Sequence, residues 1–187
     1  MDMNQTNAMP EAGQTQWLKK YYLVRGAFSA LWMLAAFNAG AHTTAAALLL
    51  VAYPLWDALT NLLDGQRSGG LTANRSQALN VIASLAVTVA VALALPDMHR
   101  VLAIFGTWAI LSGVLQLATG VRRWKTSGAQ WAMVLSGAQS ALAGGFFISQ
   151  ASAAAEPSVA TVAGYAGFGA FYFLLSGGAL PLKGRGR

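Results

Sequence analysis

The sequence of 187 residues contains no cysteine, two histidines and only six acidic residues. The absence of cysteine excludes disulfides, thiolate metal sites and cysteine nucleophiles. Charged residues make up 10% of the chain, whereas soluble proteins carry about 25%. Hydrophobic residues make up 56%, and the mean hydropathy is +0.49. This composition excludes an ordinary soluble domain and predicts an integral membrane protein.

Six apolar segments approach the length of about 20 residues that a helix needs to cross the hydrocarbon core of a bilayer. Their predicted bounds are 18–37, 43–63, 78–95, 101–120, 130–148 and 159–182. The connections are short and rich in turn-forming residues, so no soluble domain fits between two spans. We expect a flexible polar tail over 1–16, a membrane domain over 17–182 and a basic tail over 183–187.

Eleven of the 12 basic residues lie at span ends that face one side of the membrane, and Arg100 lies on the other side. They are Lys19, Lys20, Arg25, Arg67, Arg75, Arg122, Arg123, Lys125, Lys183, Arg185 and Arg187. By the positive-inside rule, both termini are predicted to be cytoplasmic. The net charge of +6 is therefore a topology signal, and nucleic acid is not an expected partner.

The even-numbered spans repeat one another. The segment YPLWDALTNLLDGQR, which starts at Tyr53, aligns with WAILSGVLQLATGVR, which starts at Trp108, at an offset of 55 residues. In the sixth span, the segment YFLLSGGAL aligns Tyr172 with Trp108 and Ser176 with Ser112. The tripeptide Leu-Ser-Gly is therefore expected to mark equivalent positions along these spans.

The odd-numbered spans also repeat. RGAFSAL, from Arg25, and SGAQSAL, from Ser136, share five of seven residues, and the third span places Asn80 and Ser84 at the positions of Arg25 and Ser29. A repeat of two spans preserves orientation in the membrane. We therefore predict an all-α, polytopic membrane protein of six transmembrane helices, built from three helical hairpins in a parallel, pseudo-threefold arrangement. The repeats cover about 17–67, 76–122 and 130–182.

The hairpin pattern LVRGAFSAL…YPLWDALTNLLDGQR, followed by WAILSGVLQLATGVRRWKTSGAQWAMVLSGAQSALAGG, resembles the HdeD-like family of small bacterial inner-membrane proteins. The resemblance spans about residues 17–182. It implies a six-helix protein of the bacterial cytoplasmic membrane that is associated with acid resistance and the stress response, and it supplies no biochemical activity. Ala58 and Val81 depart from the pattern, because the matching positions favour glycine, so looser packing is expected there.

Asp57 is the first candidate for a functional residue, because a carboxylate inside a span costs about 2.5–3.5 kcal/mol on insertion scales. Arg25 lies at a similar depth in the first span when residues are counted from the predicted cytoplasmic ends, so we predict that the two form an ion pair. The pair is either a proton-sensitive switch or a structural link that holds the first hairpin together. The sequence leaves both alternatives open.

The repeat predicts a polar layer in the cytoplasmic third of the bundle. This layer either lines a solvated cavity for a small polar solute, or its serines bond between helices that neighbouring glycines allow to approach closely. The candidate residues are Arg25, Asp57, Asn61, Asn80, Ser112, Gln116, Ser136, Gln139 and Ser176.

No catalytic constellation, cofactor motif or metal site is evident. His42 and His99 are isolated, and the other titratable residues at the predicted outer face are Asp97 and Glu156, which is a poor set for a metal ion. The predicted function is a structural or stress-protective membrane protein without enzymatic activity. The alternative is a channel or carrier for a proton or a small polar solute. The expected partner is the lipid bilayer, and the small-residue helix faces allow a homo-oligomer without requiring one.

Overall fold

A computed structural model of the chain describes residues 11–39, 43–67, 69–122 and 130–179. Within these residues it is all-helical. The helices are α1 (Glu11–Asn38), α2 (Thr44–Arg67), α3 (Arg75–Ala94), α4 (Met98–Arg122), α5 (Gln130–Ala151) and α6 (Val159–Ala179). Each contains most of one predicted span. Helix α1 begins earlier than predicted, so residues 11–16, which the sequence assigned to the flexible tail, belong to it.

Four of the helical segments are long and apolar enough to cross a membrane. They are Thr44–Arg67, Gln77–Ala94, Met98–Ala118 and Val159–Gly178. In the part of the chain that is described, α1 and α5 do not reach this threshold. Helix α1 carries Lys19, Lys20 and Arg25, which lower its apolar character. Length and composition therefore support four membrane-crossing helices.

A side-chain oxygen caps the N-terminus of three of the helices. Thr43 Oγ1 accepts a hydrogen bond from the backbone N–H of Ala46 at 3.1 Å, and Asp97 Oδ1 accepts one from Arg100 at 3.0 Å. Asn74 caps α3 in the same manner. Such caps satisfy first-turn donors that have no partner inside the helix. The α2–α3 connection turns at Gly69 and Gly70, with φ of +97° and +93°, a region that other residues rarely adopt.

The helices form a closed antiparallel ring in which each packs against its neighbours along the chain and α6 packs against α1. The most extensive contacts join α4 with α5, α1 with α6 and α2 with α3. The pairs α1–α2 and α5–α6, which short connections join, touch less extensively. The closest packing therefore does not follow the hairpins that were predicted from the sequence.

Glycines bring the backbones of α4 and α5 into contact at two levels. A Cβ atom built on Gly113 would lie 2.5 Å from the carbonyl oxygen of Gly137, and one built on Gly144 would lie 2.5 Å from that of Gly106. Neither position has room for a side chain. Small residues at such positions allow membrane helices to approach closely.

Ala58 and Val81, which stand where the sequence pattern favours glycine, lie on α2 and α3. Ala58 on α2 is 1% exposed and Val81 on α3 is 8% exposed, and α2 packs closely against α3. The looser packing that was predicted at these two positions therefore does not leave either residue exposed. The alanine and valine side chains, which are larger than that of glycine, fill the space.

The two ends of the bundle differ in polarity. The end at which α1 begins and α2 ends, here called the basic end, carries Lys19, Lys20, Arg67 and Arg75, and the guanidinium of Arg67 lies 3.9 Å from the ring centroid of Trp17. The half toward the opposite end, here called the apolar half, holds the hydrophobic core. Its most deeply buried large side chains include Leu50, Val91, Val101, Leu102, Phe105, Phe147 and Val162.

Candidate functional site

The predicted ion pair between Arg25 on α1 and Asp57 on α2 is present. The side chains are 12% and 21% exposed, so both charges are largely removed from solvent. Arg25 Nη2 donates to Asp57 Oδ1, and Arg25 Nη1 donates to the hydroxyl of Tyr21 at 2.8 Å. The guanidinium also lies 4.4 Å from the ring centroid of Phe173 on α6, within reach of a cation–π attraction. The arginine therefore joins α1, α2 and α6.

The second carboxylate oxygen of Asp57 joins α2 to α3. Asp57 Oδ2 accepts hydrogen bonds from Asn61 Nδ2 at 2.9 Å and from the hydroxyl of Ser84 at 2.7 Å. Three donors therefore surround this carboxylate. Ser84 was not a predicted candidate, although its alignment with Ser29 marked it as a conspicuous polar residue of the third span.

A cavity of about 550 Å³ lies among all six helices. It extends from Tyr53, Trp108 and Tyr165 to Asp64 and Asn74 at the basic end. Its volume falls within the range of about 300–1,000 Å³ that is usual for small-molecule sites. The bundle is thus hollow and polar in the half next to the basic end and closely packed in the apolar half.

Eight of the nine candidate residues line this cavity. They are Arg25, Asp57, Asn61, Asn80, Ser112, Gln116, Ser136 and Gln139. The exception is Ser176, which is on α6 but does not line the cavity. Helix α6 instead lines the cavity with residues between Tyr165 and Phe173.

The position of α6 explains the exception. Ser140 Oγ donates to the backbone carbonyl of Ala109 at 3.0 Å and lies 2.9 Å from the hydroxyl of Tyr165. Tyr165 is therefore level with Trp108, whereas the sequence alignment had placed Tyr172 there. The residue at this level, Tyr165, precedes Tyr172 by seven residues, or about two helical turns.

Nine aromatic residues line the cavity, and none of them was predicted as a site residue. They are Tyr21, Tyr22, Tyr53, Trp56, Trp108, Tyr165, Phe168, Tyr172 and Phe173. Aromatic side chains in apolar spans usually pack in a core or lie at the membrane interface, so their number alone is a weak signal. The alignment of Tyr53 with Trp108 was the feature of the sequence from which an aromatic wall could have been predicted.

Three cavity-lining residues carry a buried polar atom that has no hydrogen-bond partner within the described residues. These atoms are the donors Arg25 Nε and Trp56 Nε1 and the acceptor Gln77 Oε1. A buried polar group without a partner costs about 1–3 kcal/mol. Each of the three atoms is itself shielded from solvent, although its residue lines the cavity.

The charged residues that line the cavity are Arg25, Asp57 and Asp64. Arg25 pairs with Asp57, and Asp64 accepts a hydrogen bond from Gln77 Nε2. Over the described ranges, no three histidine, aspartate or glutamate side chains converge in a way that could hold a metal ion. His42 lies outside the described residues, as do Arg123, Lys125, Lys183, Arg185 and Arg187.

Comparison of the chain with models of protein families, with curated proteins and with solved structures finds no match.

Proposed function

We propose that this protein is a carrier-type membrane protein that binds a small polar solute in the cavity and receives it from the cytoplasmic side. The observation that carries the proposal is the division of the bundle into a polar, hollow half and a closely packed apolar half. A channel needs a continuous polar path, whereas a carrier holds its solute near the middle of the membrane behind one closed gate. The proposal includes no catalytic step.

The surroundings of the cavity support a membrane-embedded binding site. Polar and ionisable residues in membrane proteins face the interior of the bundle or a water-filled cavity, where they mark solute and ion pathways. The basic residues near the mouth favour a cytoplasmic opening by the positive-inside rule. Both termini are then cytoplasmic, and the resemblance to HdeD-like proteins suggests the bacterial inner membrane.

The proposed architecture is six transmembrane helices in three repeated hairpins around the cavity. Two kinds of contact, each found at two places in the bundle, support this arrangement. The side chain of Tyr53 lies close to that of Ser29, and the hydroxyl of Tyr165 lies 2.9 Å from Ser140 Oγ. In the same way, a Cβ atom built on Gly26 would contact Leu174, and one built on Gly137 would contact Leu117. Corresponding residues of these pairs are 111, 112 or 57 positions apart in the sequence, which is close to one or two repeats of about 56 residues.

Accessibility of single cysteines tests the carrier proposal, because the natural chain has none. In inside-out vesicles, Ser112→Cys, which lines the cavity, is expected to react with a membrane-impermeant thiol reagent. The matched control is Ala163→Cys, because Ala163 is fully buried in the apolar half. The expected difference in rate is roughly 100-fold, because water at the site allows the reactive thiolate to form.

The side of labelling is also informative. Ser112→Cys is expected to remain unlabelled in right-side-out vesicles, since the apolar half blocks access from that side. Protection of Ser112→Cys in both kinds of vesicle would exclude an open cavity. Labelling of both Ser112→Cys and Ala163→Cys would mean that the apolar half is not a closed gate.

The second candidate function is a structural, stress-protective role like that suggested by the HdeD-like resemblance. The hydrogen bonds that join Asp57 to Arg25, Asn61 and Ser84 favour it, because they link three helices. Under this proposal, a deletion strain loses survival in acid, and a gene carrying Ser112→Trp restores it as well as the natural gene. A carrier with its cavity filled by tryptophan would fail to restore survival, provided that the melting temperature shows the variant to be folded.

A further inference from the structure

We infer that the solute is an uncharged, polyhydroxylated ring compound, of the size of a pyranose sugar or a cyclic polyol. This inference rests on the proposed function, and it names the chemistry that the cavity wall would recognise. Three properties of the wall lead to it: the pairing of Arg25 with Asp57, the supply of neutral hydrogen-bonding groups, and the number of aromatic rings.

Beside the aromatic wall, the charges already have partners: Arg25 is opposite Asp57, whose two oxygens together accept from three side chains. Asp64 lies at the basic end of the cavity and accepts from the neutral amide of Gln77. A charged solute that binds beside Arg25 and Asp57 would lose its hydration without meeting an unpaired opposite charge. Because burying an unpaired ion is strongly unfavourable, the cavity favours an uncharged solute over an ion.

The wall is rich in groups that both donate and accept. Ten serine, asparagine and glutamine side chains line the cavity, including Ser112, Gln116 and Gln139 from α4 and α5. Hydroxyl and amide groups offer donors and acceptors together, as the hydroxyl groups of a polyol do. An apolar solute would offer no partner to these groups.

The aromatic rings on the wall distinguish a ring compound from a small polar molecule such as an amide. Tyrosine and tryptophan present a flat apolar surface together with a polar atom at the edge. Trp56 stacks on Phe28 with 4.3 Å between ring centroids and still lines the cavity. A sugar ring has the same two features, because its C–H groups form an apolar face inside a rim of hydroxyls. A cavity of about 550 Å³ holds one such ring together with water.

A set of sugars that differ only in charge tests this inference. The full chain in lipid nanodiscs is titrated at pH 6 with glucose, which is neutral, glucosamine, which is cationic, and glucuronate, which is anionic. Intrinsic fluorescence reports binding, because Trp56 and Trp108 line the cavity. Glucose, and myo-inositol as a second neutral ring, are expected to bind about tenfold more tightly than either charged sugar, a difference of about 1.4 kcal/mol.

A matched pair of variants locates the binding. Gln116→Leu removes an amide from the cavity wall and is expected to weaken glucose binding about tenfold, because it leaves a sugar hydroxyl without its partner. Gln150→Leu makes the same change near the end of α5, away from the cavity, and is expected to leave binding unchanged. Equal weakening by both variants would contradict binding in this cavity.

The outcomes also separate this inference from the carrier proposal. Tighter binding of glucosamine or glucuronate than of the neutral rings overturns the inference. Absence of binding by every sugar, with Ser112→Cys still accessible, overturns it as well but leaves a polar-solute carrier standing. Protection of Ser112→Cys in both kinds of vesicle removes the carrier proposal itself.

Discussion

Replacing Asp57 with asparagine is expected to lower the free energy of unfolding by about 3–5 kcal/mol, the usual cost of removing one partner of a buried ion pair. Arg25 is 12% exposed and would keep its charge with no carboxylate beside it. The asparagine amide also adds donors at a position where Asn61 and Ser84 already donate. The measurement is the shift in unfolding midpoint of the purified protein in detergent.

The matched control for this change is Asp97→Asn. Asp97 pairs with Arg100 at 3.0 Å, but the two side chains are 40% and 77% exposed, and exposed pairs contribute only about 0–1 kcal/mol. Asparagine caps helices as well as aspartate does, so the start of α4 is preserved. A similar loss of stability from Asp97→Asn and Asp57→Asn would show that the Arg25–Asp57 pair contributes no more than a surface pair.

The two partners are not expected to be equivalent. Arg25→Gln should destabilise the protein less than Asp57→Asn, because the carboxylate left behind still accepts from Asn61 and Ser84, whereas the guanidinium left behind donates to the Tyr21 hydroxyl. The double variant Arg25→Met with Asp57→Leu removes both charges and is expected to regain most of the lost stability. If it also binds no solute, the pair has a functional role; if it binds normally, the pair is a structural link.

Replacing Gly144 with alanine is expected to destabilise the protein by about 3 kcal/mol, at the upper end of the usual range for an overpacked site. The new Cβ atom would lie 2.5 Å from the carbonyl oxygen of Gly106 and 2.8 Å from the backbone nitrogen of Ile110. Backbone atoms cannot rotate away as a flexible side chain can. Helices α4 and α5 must therefore separate, which weakens the packing along both.

The adjacent residue supplies the control. A Cβ atom on Gly145 would have no neighbour within 4 Å, so Gly145→Ala is expected to be neutral or to stabilise α5 by up to about 1 kcal/mol through helix propensity. Both variants are compared by thermal unfolding in the same detergent. Equal midpoints would mean that α4 and α5 do not touch through their backbones at Gly144.

The residues of the ion pair could be predicted because their chemistry is restrictive. A carboxylate within a span needs a partner, and Arg25 was the basic residue at a suitable depth in the neighbouring span. The polar layer could be predicted for a similar reason, since eight of its nine residues share one cavity. Ser84 was missed as a partner because a serine can bond to its own helix as easily as to a neighbour.

The position of α6 could not be predicted from matching letters. Small residues recur along membrane helices wherever backbones approach, so Leu-Ser-Gly at Ser176 looked equivalent to Leu-Ser-Gly at Ser112. The packing of α6 against α1, together with the contact between Tyr165 and Ser140, instead sets the level of this helix. The aromatic wall was missed because the same residue types also form hydrophobic cores, and only the three-dimensional arrangement separates the two roles.

The closed ring has a consequence for the biogenesis of the protein. Helix α1 has its most extensive contacts with α6, which follows it by more than a hundred residues. During synthesis, α1 is therefore complete long before its principal neighbour has been translated. Until then Arg25 lacks the ring of Phe173, and the cavity has no complete wall. Until α6 is in place, the polar side chains of α1 that line the cavity are therefore without the neighbours that bury them in the finished bundle.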